Sequence, residues 1–482
     1  MPSFLVYFVH RHFEFRYPEL AALLELQGLS LDECVSPADR PDPASSPLLH
    51  IELPSRDHAT FLSARGILVK GVYEVWGHAA DTGEYGELVA SVAAFAGVDK
   101  QRIISDEHCS WRINVDAFGK KLSMEEQTAR RERFREVLPF AGPVQMREPD
   151  ETFLVLEEFA VDQDQRPEQP PKQLLLLREV AGSERNRGRG GGRDLVDQQT
   201  LKRRAYIGPT SMESEMALLM SNMALVRRGD LVIDPFVGTG SVLVPCATHG
   251  AVCYGTDIDI RVLLGTGVGV SGKPVDPPPT SQGQDAARVN VVSNFKQYGL
   301  PLPELVRGDN SRSPLVERSA GLFDAVVCDP PYGIRAGARK SGRKRSKKSE
   351  SEPAESVRDK TKQPNYIPPT QPYAAEDVMR DLLEFAARVL RDGGRLVYLL
   401  PTTYEYTDAD LPRHPLLRVV SNSEQKLTLK YARRLITMVR LAEAQSGDEQ
   451  RSASPMVADG SASFANLRDK IRKRKPDADL EG

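Results

Sequence analysis

Between residues 231 and 400 the chain repeats one pattern: a short apolar run, acidic or turn residues, then a helical stretch. The runs are Leu231 to Ile233, Ala251 to Gly255, Leu305 to Arg307, Phe323 to Cys328 and Arg395 to Leu400. Acidic or turn residues follow all but the last, which ends at Pro401. Strands that alternate with helices in this way predict an α/β domain built on a parallel, doubly wound sheet. In open sheets of that kind ligands sit at the carboxyl ends of the strands. The residues directly after each run are therefore the candidates for chemistry.

Those residues form a consistent set. The first run ends at Asp234-Pro235-Phe236-Val237-Gly238-Thr239-Gly240-Ser241. Two glycines one residue apart let the backbone approach a ligand closely and turn into a helix. The third glycine of G-x-G-x-x-G is missing, and so is the P-loop lysine, which argues against a nucleoside triphosphatase. The second run ends at Asp257, whose carboxylate can accept hydrogen bonds from both ribose hydroxyls of an adenosine ligand, with Ile258 placed to pack on adenine. The third ends at Gly308-Asp309-Asn310, where a carboxylate can accept from an adenine amino group. The fourth ends at Asp329-Pro330-Pro331-Tyr332-Gly333 and separates this site from a dinucleotide-binding one. An amine on an aromatic base is a poor nucleophile because its lone pair is delocalised into the ring. The Asp329 carboxylate and Pro330 carbonyl are two acceptors that can hold its hydrogens and pull the nitrogen toward a pyramidal shape. The prolines fix φ in that loop, and Tyr332 can stack on the base. An activated methyl on the sulfonium of S-adenosyl-L-methionine then needs mainly in-line positioning. No metal is required.

Each signal alone has a structural reading. Asp257 could cap a helix, and a Pro-aromatic string can be a turn; Asp276-Pro277-Pro278-Pro279, with no preceding strand and no aromatic, is such a loop. The four signals in order, each at a strand end, carry the functional reading. The histidines show no metal-ligand spacing.

The rest of the 482-residue chain, long enough for two or three domains, supplies context. Residues 1–161 read as a mixed α/β module, with strands at Ser3 to His10 and Phe153 to Phe159 and a helix at Tyr17 to Leu26. A capping box at Ser123 to Glu126 opens a charged helix to about Val137. Residues 162–200 read as a linker holding an Arg/Gly insertion (about 183–193) and one short apolar stretch, Leu174 to Leu177, that could pack on a neighbouring domain. Residues 201–444 form the α/β domain. Thr210 with Glu213 gives a second capping-box match, ahead of a helix whose Met216, Met220 and Met223 read as core. Low-complexity insertions lie at about 265–285 and 337–364, and the second carries seven basic residues between Arg339 and Lys348. Residues 445–482 are a polar tail with a basic stretch from Arg468 to Lys475. Both basic runs fit either phosphate contacts or a solvated surface. The net charge of −3 confines nucleic-acid binding to local patches. Five cysteines without a C-x-x-C pair fit a reducing, cytoplasmic setting, with Cys253 and Cys328 as buried core residues. No stretch resembles a signal peptide or a membrane span.

Several longer strings resemble one family. Thr210-Ser211-Met212, Asp234 to Gly240, Tyr254-Gly-Thr-Asp-Ile-Asp259 and Asp329-Pro-Pro-Tyr-Gly-Ile-Arg335 are similar to the catalytic subunit of the eukaryotic tRNA (guanine-10-N2)-methyltransferases. So are Gly394 to Tyr398, Ser421 to Leu427 and Arg433 to Met438, together with Glu14-Phe-Arg16, Glu74-Val-Trp-Gly77 and Glu136 to Phe140. The resemblance covers roughly residues 1–440. It implies a ferredoxin-like segment plus a THUMP domain that recognises the tRNA acceptor end, followed by a Rossmann-like methyltransferase domain forming N2-methylguanosine at position 10. It also implies a heterodimer with a small zinc-binding activator subunit that covers apolar surface along a strand edge. Asp234, Pro235, Phe236, Gly238, Thr239 and Gly240 would form the cofactor loop, with Asp257 and Ile258 at the ribose and adenine. Asp309 and Asn310 would lie at the adenine, and Asp329 to Tyr332 at the target amine. Two alternatives stay open: an amino-group methyltransferase acting on adenine N6 of RNA or DNA, and a non-catalytic RNA-binding subunit that keeps the fold.

Overall fold

The computed structural model describes residues 2–80, 83–160, 167, 170–182, 191–266, 271–272, 289–313, 315, 321–331, 338–342, 369–429 and 431–442. The chain forms two compact units, Met1–Leu195 and Val196–Gly482.

The first unit is built on one six-stranded sheet. Its strands are β1 (Ser3–Phe8), β2 (Leu48–Glu52), β3 (Val69–Ala80), β4 (Trp111–Phe118), β5 (Glu151–Glu158) and β6 (Gln173–Ala181), in the order β2-β1-β3-β6-β5-β4. Only the β4–β5 pair is parallel. The twelve-residue β3 pairs with β1 on one side and β6 on the other, so a single sheet runs through the whole unit. Trp76, Phe153, Val155, Leu174 and Leu176 pack against Leu88 and Val92 of the helix Tyr85–Ala94. Gly77 permits that contact: a Cβ there would stand 2.3 Å from Val92 Cγ2. Two buried charges tie the chain start to the sheet. The Arg16 guanidinium donates to Val9 O at 3.1 and 2.6 Å, and the Glu19 carboxylate accepts the Ile67 and Leu68 amides at 2.7 and 2.8 Å.

Two sequence expectations change here. Leu174 to Leu177 belongs to β6, a central strand with all four leucines fully buried, rather than to a linker across 162–200. Four consecutive leucines with both faces covered lack the alternation that marks a strand. The helix opened by the Ser123–Glu126 capping box ends at Glu132, short of Val137, and the chain then turns so that Phe134 and Leu138 reach the core.

The second unit holds a seven-stranded sheet and two small two-stranded ones. Its strands are β7 (Tyr206–Ile207), β8 (Leu231–Asp234), β9 (Val252–Asp257), β10 (Ser271–Gly272), β11 (Glu304–Arg307), β12 (Phe323–Cys328), β13 (Arg339–Ser341), β14 (Thr370–Pro372), β15 (Leu390–Thr402), β16 (Leu417–Lys426) and β17 (Ala432–Arg440). The large sheet runs β11-β9-β8-β12-β15-β17-β16, while β10 pairs with β7 and β13 with β14. All five strands foreseen from the apolar runs are present and parallel. The sheet is nevertheless mixed, because β17 returns antiparallel to β15 and β16 pairs antiparallel with β17. The helix Ala375–Val389 buries Val378, Leu382, Leu383, Phe385 and Ala386 against Leu396, Tyr398, Ile436 and Met438. At about 1.5–3 kcal/mol per large apolar side chain, that face alone anchors the helix. The helix Ser214–Met223 touches β15, and Met216, Met220 and Met223 are core as expected.

The Thr210–Glu213 capping box does not form. That helix starts at Ser214 with Glu213 as its cap residue and no side-chain cap. Ser211 instead accepts the Gly208 amide at 2.8 Å, which holds 208–211 as a turn. Part of the expected insertion 337–364 is ordered sheet: β13 pairs with β14, and Lys340 lies 3.3 Å from Asp377. The remainder of that run, most of 265–285 and the tail 445–482 lie outside the described residues.

Candidate active site

Strand order reverses at β8: β9 and β11 lie on one side, β12 and β15 on the other. A sheet opens a crevice beyond its carboxyl edge at such a point. The pairing Asp234↔Gly255 and the backbone bond from Gly308 N to Asp257 O (3.0 Å) bring three strand ends into one row, with β12 ending beside β8.

Asp234 is the most buried acid of the row, 1% exposed, and its carboxylate accepts the Phe236 amide at 2.8 Å. Burial pushes its pKa well above the ordinary carboxylate range, and the charges of Asp257 and Asp329 push it the same way. Asp257 accepts from Asp259 N at 2.8 Å on one oxygen and from Gly238 N at 3.0 Å on the other. Burial raises its pKa too. Asp257 is not a helix cap; Asp259 caps the helix Ile260–Leu263 by accepting the Arg261 amide. Among the described residues neither Asp234 nor Asp257 has a cationic partner.

The glycine loop is shaped for close approach. Gly238 and Gly240 have φ of +50° and +78°, a region L side chains rarely adopt. At Gly240 a Cβ would press on Val291, whereas at Gly238 it would meet only the Phe236 carbonyl at 3.8 Å, so that side of the loop is open. Pro235 is buried, its carbonyl accepting from Thr256 Oγ1 at 3.2 Å, and Phe236 packs on the core. Ile258 is half-buried beside Asp257, and its carbonyl accepts from Arg307 Nε at 3.3 Å.

At the third strand end, Asp309 accepts from Ser311 N and Oγ at 2.9 and 2.8 Å and from Ser341 N at 2.6 Å. Burial pushes its pKa up, but these donors outweigh it and hold it below the ordinary value. Ser341 is a partner the sequence hid, because it sits in the basic run after the Asp-Pro-Pro-Tyr string. Next door, Asn310 is 8% exposed, and both atoms of its amide lack a hydrogen-bond partner. A buried amide is rarely left unpaired unless a ligand or water completes it. That orphan, the open Gly238 and the uncompensated Asp257 together fit an adenosine-bearing cation.

The fourth strand end brings Asp329 into the same row. Its charge acts on Asp234 and on the fully buried Cys328, whose thiol is raised chiefly by burial. Pro330 is buried, while Asp329 and Pro331 are half-buried. Tyr332 lies outside the described residues.

Behind the glycine loop lies a group that sequence reasoning missed. Arg204 is fully buried and donates to Ser241 Oγ at 3.1 Å and to Gln199 O at 3.0 Å. Ser241 Oγ lies 3.2 Å from Thr239 Oγ1, which lies 2.7 Å from Ser211 Oγ. The buried Asn294 clamps the loop by donating to Tyr206 O and Thr239 O at 2.9 and 3.0 Å. Arg204 sits in a Lys-Arg-Arg run that reads as solvated charge, so nothing in the sequence marked it.

Known proteins share this organisation. Residues 2–185 match the family model described as the Tmrp11 THUMP N-terminal domain, and residues 202–358 match the RMKL-like methyltransferase domain. The chain is 35% identical over 448 residues to tRNA (guanine(10)-N(2))-methyltransferase TRMT11 of Homo sapiens, covering 92% of this chain and 90% of that protein. It is 33% identical over 467 residues to the protein of the same name from Dictyostelium discoideum, covering 94% and 85%. Among solved structures, TrmN from Thermus thermophilus is similar, with a TM-score of 0.42 and 16% identity over 91% of this chain and 100% of that one. Likeness of 35% identity along nine-tenths of both chains places this chain in the family of tRNA (guanine(10)-N(2))-methyltransferases.

Proposed function

We infer that the chain methylates the exocyclic N2 of guanosine 10 in tRNA, using S-adenosyl-L-methionine. One observation carries the reading: the Asp329-Pro330 loop stands at the switch point of the sheet, in one row with Asp234 and Asp257, in a chain of this family. When bound, the donor supplies an activated methyl and a neutral thioether leaving group. Asp257 accepts from the ribose hydroxyls through the lone pairs its backbone donors leave free. Asn310, with one acceptor and one donor face, meets the adenine edge together with Asp309, and Ile258 packs on the ring. Asp234, Pro235, Phe236, Gly238, Thr239 and Gly240 cradle the amino-acid end. Asp329 and the Pro330 carbonyl hold the two N2 hydrogens of guanine and localise the lone pair, and the Asp329 carboxylate takes up the one proton released on transfer. Pro331 stiffens the loop and Tyr332 stacks on the base.

Residues 1–161 serve as the tRNA-binding region and 201–444 as the catalytic one. The protein acts in the cytoplasm as one half of a heterodimer with a small zinc-binding activator subunit. The edge strand β16 supports that partner, because among the described residues it pairs with β17 alone, and it carries exposed Val420 along its length and exposed Leu427 and Leu429 just beyond its end.

The test is transfer of labelled methyl to an unmodified tRNA transcript by the chain co-expressed with the activator, followed by nucleoside analysis. Label in N2-methylguanosine that vanishes when guanosine 10 is replaced is the expected result. Label in another nucleoside, or none from a complex that binds the donor, overturns the reading.

A further inference from the structure

Arg204 is an uncommon residue to find behind a ligand loop. Its guanidinium is fully buried, and among the described residues no carboxylate pairs with it; the Tyr298 hydroxyl supports its charge, and Glu213 acts on it only at a distance. Its Nε has no acceptor. A buried cation without a counter-ion is costly, so its place in the fold calls for an account.

The hydroxyls in front of it supply one. Ser241, Thr239 and Ser211 form a chain of three oxygens linked at 3.2 and 2.7 Å. Both ends are fixed by groups that can only donate: Arg204 Nη1–H donates to Ser241 Oγ, and Gly208 N–H donates to Ser211 Oγ. Three hydroxyl protons serve two links, so one proton is left over. Were it on Ser241 or on Thr239, 5% and 7% exposed, it would be a buried O–H with no acceptor among the described residues, and on Ser241 it would also face the guanidinium. The positive charge turns the chain the other way: Ser241 donates to Thr239 and Thr239 to Ser211. The leftover proton then belongs to Ser211, the half-buried end beside Thr239 of the open glycine loop. A donor O–H left free at that half-buried end, backed by a cation, suits an anion.

We propose that Arg204 is a positioning residue for the methyl donor: acting through Ser241 and Thr239, it orients the Ser211 hydroxyl to hold the carboxylate of the donor's amino-acid portion. The arrangement complements the acids of the row, which suit the donor's cationic sulfonium and ammonium groups. The carboxylate is the donor's one anionic group, and Arg204 is a buried cation bonded to Ser241 directly after the glycine loop. The inference rests on S-adenosyl-L-methionine as the donor.

Titration calorimetry on the full chain with its activator subunit tests it, using two ligands that differ only in the carboxylate: S-adenosylhomocysteine and its decarboxylated analogue. The wild type prefers the carboxylate-bearing ligand. In Ser211→Ala and Thr239→Val that preference falls by about tenfold, the size of one hydrogen bond to a charged group, while affinity for the decarboxylated analogue stays within about twofold. Thr239→Ser, which keeps the hydroxyl, restores the preference. Arg204→Met lowers it in the same direction, and should that variant fail to fold, the threonine pair still decides. Equal weakening of both ligands means a purely structural cluster and overturns the proposal, as does an unchanged preference. Failure of the wild type to bind either ligand points instead to a wrong donor.

Discussion

Two groups of acids, one in each unit, are treated in opposite ways. In the first, Arg178, 4% exposed, donates to both oxygens of Glu151 at 2.8 and 2.6 Å and lies 3.3 Å from Glu74 and 3.4 Å from Asp99. Glu157 takes Arg130 Nε at 2.9 Å and the Tyr85 hydroxyl at 2.5 Å. In the second, Asp234 and Asp257 receive backbone amides and feel one another's charge. A carboxylate already matched to an arginine has no electrostatic demand left, and its role is to fix strands and helices in place. A carboxylate buried without a cation keeps its demand, and a positively charged ligand can meet it. The contrast separates acids that hold the fold from acids that wait for the methyl donor.

The sharpest way to break this contrast is at Asp329, which acts on the substrate. Asp329→Ala should lower methyl transfer about a thousandfold, as expected when a proton acceptor at the reacting atom is removed. Calorimetric affinity for S-adenosylhomocysteine should stay near wild type. A parallel collapse of both would return Asp329 to the cofactor site. Arg178→Met should cost the first unit about 3 kcal/mol, because it leaves the largely buried Glu151 without its cation, whereas Glu74 and Asp99 keep Arg56 at 3.6 and 4.0 Å. Denaturant melts would read that loss, and cofactor affinity should not move.

Asp257→Asn sets the two treatments side by side. It should weaken S-adenosylhomocysteine about 10–30-fold, since an amide is a poorer acceptor for ribose hydroxyls and its NH2 group would face the Gly238 or Asp259 amide. In the ligand-free protein two effects oppose each other, the removal of an unpaired charge and the loss of an acceptor for one loop amide, so the denaturant midpoint should change little. Glu151→Gln in the first unit should do the reverse, lowering the denaturant midpoint with no effect on the ligand. If both substitutions destabilise the free protein equally, Asp257 is an ordinary structural acid.

Much of this was legible in the sequence, and the reasons are specific. Short apolar runs, four of them followed by acidic or turn residues, marked all five parallel strands, because central strands buried on both faces must be apolar and must stop where a polar end group reaches the edge. The strand-end motifs gave the row Asp234, Asp257, Asp309 and Asp329 for the same reason. The antiparallel pair β16–β17 escaped, because Ser421 to Lys426 and Arg433-Arg434 carry polar side chains that pair with each other across the hairpin, as Arg434 Nε does with Asn422 at 2.6 Å. β6 escaped because its leucines sit between proline-rich and glycine-rich strings. Ser341 and Arg204 escaped because each lies in a basic run, and a charge run carries no sign of which member turns inward.

The smallest expected effect is on protons, and it distinguishes the acids within the row. Burial raises Asp234 and Asp257, so they contribute stability that is complete below the ordinary carboxylate pKa and lost as pH rises through their raised values. Asp309 is lowered by its serine donors, so its contribution is complete above the ordinary value and lost as pH falls through the lowered one. The two windows lie on opposite sides of the ordinary carboxylate pKa. A cationic ligand favours the ionised form of the raised pair. Above the ordinary carboxylate value, binding of S-adenosyl-L-methionine, a net cation through its sulfonium, should therefore release a fraction of a proton, and its affinity should fall as the solution is acidified. Calorimetry in two buffers of different ionisation enthalpy measures that release directly. Asp257→Asn should reduce it, whereas Asp309→Asn should leave it intact. Proton uptake on binding, or a release indifferent to Asp257, would mean that the unpaired acids are not what meets the ligand's charge.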